Sequence, residues 1–134
     1  MSEPRVVIVG AGQAGLAVSH ELSAAGVDHV VIERDRVGQT WRDRWDSFCL
    51  VTPNWTMSLP GLSYAGDEPE GFDRRDEIVR YLETYAASFG APVRQGVGGS
   101  SLERGSAGRL RVRAPGGGHR AGEVVLATGP HQKP

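Results

Sequence analysis

The sequence predicts an α/β fold built on a mostly parallel sheet, and three observations carry that expectation. Arg5 to Val9 is a short apolar run rich in Val. It is followed at once by the turn Gly10-Ala-Gly12-Gln-Ala-Gly15 and then by a stretch of helix formers. A second apolar run, Val30-Val-Ile32, ends on an acid, Glu33. Strand, glycine turn, helix, strand and acid in this order form a βαβ unit, whose helix crossover makes its two strands parallel.

Each element has a physical reason. The first run suits a strand buried on both faces. Gln13 to Ala25 contains Ala, Leu and Glu and no Pro, with an apolar row at Leu16, Ala17 and Leu22, and Gly26 follows as a stop. The glycines have distinct tasks. Gly10 permits the tight turn, Gly12 lets backbone approach a pyrophosphate, and Gly15 lets the helix pack close to the sheet. The amides of the helix start then favour an anion. Glu33 lies 23 positions after Gly10, where a carboxylate accepts hydrogen bonds from ribose hydroxyls. A carboxylate there repels a 2′-phosphate, so the motif disfavours NADP as its ligand. A packing-only βαβ unit would explain neither the glycine spacing nor the acid.

Further along, Asp35 to Arg75 is irregular and holds all three Trp residues. A loop region of that length in a compact domain is functional or covered by other parts of the protein. A second helix is expected over Arg75 to Phe89, with Ile78, Leu82, Tyr85 and Phe89 on one face, Asp73 as cap and Gly90 as stop. A short strand is expected near Val93 to Val97, and a Gly- and Ser-rich loop over Gly98 to Gly108. Leu110 to Arg113 alternates like a half-exposed strand, Pro115 to Gly118 makes a turn, and His119 to Gly122 returns as its partner. Glu123 to Ala127 reads as a buried parallel strand ending at Thr128-Gly129.

Composition narrows the function classes. The chain has 134 residues, enough for one domain with a core, and a formal charge of −1. Its 15 basic and 16 acidic residues are interspersed, without a basic stripe, which argues against nucleic-acid binding and a membrane-surface role. No apolar run approaches a membrane span, and the residues before the first strand leave no room for a signal peptide. Cytoplasm is the expected compartment. The single cysteine, Cys49, excludes an internal disulfide and is expected to be buried. His20 is placed on a helix surface, His29 and His119 in turns, and His131 beside the last residues. None has partners for a metal site or a triad, so no catalytic or metal-binding residue is assigned.

Three more blocks join the glycine turn: Gly38-Gln-Thr-Trp41-Arg42, Trp45-Asp46, and Val124-Val-Leu-Ala127-Thr128-Gly129. Together with the helix Asp-Glu-Ile-Val-Arg-Tyr-Leu, they resemble the flavin-dependent monooxygenases that use FAD and NADPH, including bacterial flavoproteins and the plant enzymes of auxin synthesis. The resemblance covers essentially the whole chain. It implies a Rossmann-like FAD-binding domain over residues 1–134, truncated relative to a complete enzyme. The NADPH-binding domain and the segment that closes over FAD would be absent.

By the same resemblance Gly10, Gly12 and Gly15, with Ala11, Gln13 and Ala14 completing the turn, would hold the FAD pyrophosphate. Glu33 would hold the adenosine ribose, and Arg34 would flank the adenine end. Gly38, Thr40, Trp41 and Arg42 are candidate flavin-side contacts, with Trp45 and Arg44 weaker candidates. Backbone around Val97 would lie near adenine, and Ala127, Thr128 and Gly129 would pack against the cofactor. Thr52 and Asn54 sit where relatives place polar groups near the flavin ring.

Three readings stay open. The chain is the FAD-binding half of an NAD(P)H-dependent monooxygenase that acts on a small organic substrate, with the isolated chain not catalytically competent and a complementing NADPH-binding segment as partner. Alternatively it is a non-catalytic adenine-dinucleotide-binding module. In the third reading it is a remnant whose uncovered apolar faces lead to self-association.

Overall fold

The computed structural model describes residues 3–114 and 117–129. The expected βαβ unit forms as β1 (Val6–Val9), α1 (Gln13–Ala24) and β2 (His29–Glu33). Between β2 and the next long helix lie a single helical turn, α2 (Gln39–Arg42), and a 3₁₀ turn over Asn54–Thr56. Then come α3 (Arg75–Ser88), β3 (Val93–Gln95), β4 (Ser101–Arg104), β5 (Leu110–Ala114), β6 (Gly117–Ala121) and β7 (Glu123–Leu126).

Two sheets result. The first is parallel, with strand order β3-β2-β1-β7. β1 pairs in register with both neighbours, Val7 opposite Val30 on one side and Val124 on the other. The second sheet is antiparallel, with order β4-β5-β6. The fold is therefore α/β with a mostly parallel sheet and a small antiparallel ribbon, as the sequence predicts.

Strand alternation sorts β1 between two cores. Val6 and Ile8 pack with Leu16, Val31, Leu82 and Tyr85 on the helical side. Val7 packs with Val30, Ile32, Val112 and Ala121 on the ribbon side. The molecule is thus three layers: helices, parallel sheet, antiparallel sheet. A central strand covered on both faces must read as a continuous apolar run, which is why β1 and β2 are so plain in the sequence.

Helix α3 buries Ile78, Leu82 and Tyr85 together, as their spacing requires. Its cap differs from expectation. The N-cap is Arg74, not Asp73: the Arg74 amide donates to Glu77 Oε1 at 3.2 Å, and the Glu77 amide donates back to the Arg74 carbonyl at 3.0 Å. The acid three residues into the helix closes the box, so no capping side chain is needed at its first position.

Several local expectations are corrected. Ser101–Arg104 is a strand, not loop, because Leu102 pairs with Val112 across the ribbon. β3 ends at Gln95, short of Val97. β7 is an edge strand of the parallel sheet, and Leu126 is 63% exposed where burial on both faces was expected. His29 opens β2 and is buried. Its Nδ1 lies 2.9 Å from the Val27 carbonyl, which can only accept, so Nε2 accepts from the Ser19 hydroxyl at 2.7 Å. His119 lies in β6, the returning strand expected over His119 to Gly122, and not in the glycine turn before it. Burial, with the Arg94 charge adding to it, holds its pKa below the usual histidine value. His20 is half-buried, stacked on Tyr85 at 5.8 Å and edge-on to Phe89 at 5.2 Å. Cys49 is exposed, because it lies on the surface loop bridged to Arg74. His131 and the Pro115-Gly116 half of the expected turn lie outside the described residues.

Candidate functional site

A cleft of about 540 Å³ opens across the carboxyl ends of β1, β2 and β7, where open α/β sheets bind ligands. Its floor is the glycine turn. Gly10 has φ +112°, and a Cβ there would run into the Ala127 carbonyl, so the first turn and the end of β7 interlock. A Cβ on Gly15 would strike the Gly10 carbonyl, which is why α1 can start so close beneath the turn. A Cβ on Gly12, in contrast, would meet nothing within 4 Å, so the absence of a side chain here leaves space on the ligand side. Gly12 is also the N-cap of α1, with no side-chain cap. The helix start is thereby left for an outside acceptor.

Glu33 stands at the end of β2 and touches this floor. Its Oε1 accepts the Ala11 amide at 2.9 Å and its Oε2 accepts the Asp35 amide at 2.9 Å. A carboxylate has about four acceptor positions, so two remain for ligand hydroxyls.

Of the residues singled out in the sequence, Gly10, Gly12, Gln13, Ala14, Glu33, Arg34, Thr40, Trp41, Val97, Ala127, Thr128 and Gly129 line the cleft. Four others do not. Ala11 is fully buried, giving its amide to Glu33 and accepting the Gly38 amide at 3.1 Å. Gly15 lies beneath the turn, in contact with Gly10. Gly38 starts α2 with φ +73° against Leu82. Arg42 faces away: its Nε donates to the Val37 carbonyl at 3.0 Å and its Nη2 lies 3.4 Å from Glu83 Oε1. Arg44, two residues on, lines the cleft instead.

Val9, Ile32, Asp35, Gln39, Gly99 and Leu126, which were not among the candidates above, line the cleft too. Val9, Ile32 and Leu126 are the last or next-to-last residues of their strands, so the rule that ligands bind at carboxyl ends already pointed to them. Trp45 is 62% exposed and meets Phe48 edge-on at 5.1 Å rather than lining the cleft.

Thr52 and Asn54 also fall elsewhere. Thr52 is exposed and bonds Thr56. Asn54 is 1% exposed and fastens its own loop, donating to the Glu68 carbonyl at 2.8 Å and accepting the Asp73 amide. Beside that loop lies a second hollow of about 500 Å³, lined by Tyr64, Glu68, Asp73, Glu77 and Tyr81 among others. There burial raises the Asp73 pKa, and the neighbouring Glu77 and Glu68 charges raise it further. Among the described residues, no group of three or more His, Cys, Asp or Glu could hold a metal ion. No helix among them is long and apolar enough to cross a membrane.

A parallel sheet, a glycine turn running into a helix, an acid closing the second strand and a cleft over the strand ends define a domain of the Rossmann-like, dinucleotide-binding class. A family model described as pyridine nucleotide-disulphide oxidoreductase matches residues 7–134, and the chain belongs to that family. It is 40% identical over 130 residues to an uncharacterized CzcO-like oxidoreductase of Geobacillus kaustophilus, covering 96% of this chain and 37% of that protein. It is 38% identical over 135 residues to the indole-3-pyruvate monooxygenase YUCCA1 of Oryza sativa subsp. japonica, covering 98% of this chain and 33% of that protein. Among solved structures, a flavin-containing monooxygenase from Stenotrophomonas maltophilia superposes with a TM-score of 0.86 at 30% identity, over 96% of this chain and 39% of that one. The chain thus spans well under half the length of these relatives, two of which are named as monooxygenases. FAD is the cofactor of that family.

Proposed function

We propose that these 134 residues form the FAD-binding part of a flavin-dependent NAD(P)H oxidoreductase of the monooxygenase type, acting on a small organic substrate. The observation that carries this reading is the join between Glu33 and the glycine turn. The carboxylate is fastened to the Ala11 amide, while the position facing out from Gly12 is open. On this reading Glu33 would serve as ribose acceptor beside a diphosphate cradle at Gly12, an arrangement that supports the adenosine diphosphate half of FAD as ligand.

Gly12, Gln13 and Ala14 would hold the diphosphate, Glu33 the ribose, and Arg34 and Val97 would border the adenine. Thr40 and Trp41, with Ala127 to Gly129, would border the flavin side. Bound FAD would supply the redox chemistry; the residues of this chain bind it and orient it. The cleft is partly open to solvent, and oxygen transfer from a flavin requires exclusion of water. Turnover with NAD(P)H therefore draws on surfaces beyond these residues, supplied in the same chain or by a complementing partner.

The test is a visible absorbance spectrum after incubation with FAD and removal of free ligand. A retained, shifted flavin band supports the reading, and Glu33→Ala should weaken retention by roughly tenfold or more. A colourless parent protein sinks it.

A second reading has its own observation. The adenosine diphosphate half of the cleft is the better built, since Glu33 and the turn are hydrogen-bonded together. On that reading the chain is a dinucleotide-binding module without catalysis, and ADP competes with FAD at similar affinity. Strong preference for FAD opposes it.

A further inference from the structure

The charged side chains lining the cleft are Glu33, Arg34, Asp35 and Arg44. Glu33 is held by two backbone amides. Arg34 Nε lies 3.5 Å from Asp35 Oδ2, so those two charges offset each other. Arg44 is different. Among the described residues its guanidinium has neither a hydrogen bond nor a carboxylate partner, and its Nε is buried without an acceptor.

The side chain is nevertheless fixed. Its guanidinium carbon stands 5.7 Å from the Trp41 ring centroid and 5.4 Å from that of Phe48. Its backbone is anchored too: the Arg44 amide donates to the Trp41 carbonyl at 3.1 Å, and the Arg44 carbonyl accepts Arg75 Nη1 at 2.9 Å. Aromatic faces stabilise a guanidinium through its plane, but its N–H groups point outward in that plane and want oxygen acceptors. A half-buried cation held in place without an acceptor, at the wall of a cleft whose floor is an uncapped helix start, is suited to an anion.

We propose that Arg44 is the side-chain cation for the diphosphate of the bound dinucleotide and sets a preference for diphosphate-bearing ligands over the bare nucleoside. This inference rests on the dinucleotide site proposed above. It assigns the α1 start the dipolar contacts and Arg44 the full charge. The neutral, linear Met side chain can still lie along Trp41 and Phe48, so Arg44→Met removes the charge and keeps most of the packing.

The experiment is calorimetric titration of the parent chain, Arg44→Met and Arg44→Lys with ADP, adenosine and FAD at low and moderate salt, each variant checked by near-UV circular dichroism. In the expected result, ADP affinity falls by roughly tenfold or more in Arg44→Met. Adenosine affinity then changes by less than about twofold, the salt dependence of ADP binding shrinks, and Arg44→Lys keeps most of the ADP affinity. Equal ADP affinity in the parent and Arg44→Met overturns the inference alone. Loss of FAD with ADP unchanged also overturns it, since the charge would then serve the ring end. A parent chain that binds neither ADP nor FAD overturns the dinucleotide reading and this inference with it. Should Arg44→Met lose its native spectrum, Arg44→Gln replaces it; and ADP binding to the parent that is indifferent to salt overturns the inference without any variant.

Discussion

The βαβ unit at residues 6–33 and the loop at residues 43–73 are built on opposite principles. In the first, the strand residues Val6, Val7, Ile8, Val31 and Ile32 are at most 3% exposed, and order follows from burial on two faces. In the second, Val51, Trp45, Trp55 and Phe72 are 90%, 62%, 57% and 51% exposed. That loop keeps its shape with the help of polar attachments, some within the loop and some from α3. Asn54 fastens it to itself. Tyr81 donates to the Leu62 carbonyl and accepts the Leu59 amide at 2.9 Å, and Tyr85 donates to the Pro60 carbonyl at 2.7 Å. Burial pushes both tyrosine pKa values up, so the hydroxyls remain protonated donors. Apolar content alone therefore says little about where the core is. The Trp-rich loop has the larger side chains and the poorer burial; beyond Leu59 and Leu62, which pack against the helical core, it is held by hydrogen bonds that can be cut singly.

The contrast is sharpest at Gly15. Gly15→Val would drive side-chain atoms into the Gly10 carbonyl, with no flexible neighbour to yield. We expect more than about 4 kcal/mol of destabilisation, read as loss of a cooperative melt; a folded variant would show that the turn is less tightly packed than described. Tyr85→Ala comes next. It empties a fully buried position at the centre of the helical core and releases Pro60, for about 3–5 kcal/mol. Tyr85→Phe isolates the hydrogen bond at about 1 kcal/mol. Equal losses in the two variants would mean that the loop, not the core, dominates.

Asn54→Ala should cost about 1–3 kcal/mol by leaving the Glu68 carbonyl and the Asp73 amide without their partner. Limited proteolysis should then cut first within residues 54–73; unchanged cleavage would refute the attachment role. The smallest effect is expected at Asp73. Its folded pKa lies above the unfolded value, so the ionised form opposes folding at neutral pH and the opposition fades as pH falls through the carboxylate range. Asp73→Asn should stabilise the fold slightly near pH 7, by less than about 0.5 kcal/mol, read as a small rise in melting temperature, and the gain should vanish below roughly pH 4.

This contrast also explains what could be read from the residues alone. β1, β2, the glycine turn and the buried face of α3 rest on local periodicity, so they were legible. The α2 turn has only four residues, too few for a period to register. β4 is flanked by Gly and Ser, and it becomes a strand only because β5 returns beside it. The apolar run of β7 looks buried on both faces, yet pairing on one side only leaves Leu126 outward. In the cleft, the turn, Glu33 and the end of β7 were visible because their spacing is fixed by backbone geometry. The exchange of Arg42 for Arg44 was not, since one helical turn decides which of two arginines faces the sheet end and which meets Glu83.

The double attachment of Glu33 has a consequence for ligand entry. A free glutamate loses up to about 1.5–2 kcal/mol of rotamer freedom when immobilised. Here that ordering occurs during folding, because the Ala11 and Asp35 amides hold both oxygens before any ligand arrives. A ribose therefore meets a receptor already in its working conformation, and its affinity is not reduced by having to arrange one. The same latch ties the turn after β1 to the turn after β2. Occupancy of the cleft should accordingly be felt as slower amide hydrogen exchange at Ala11, a buried residue that does not line the cleft.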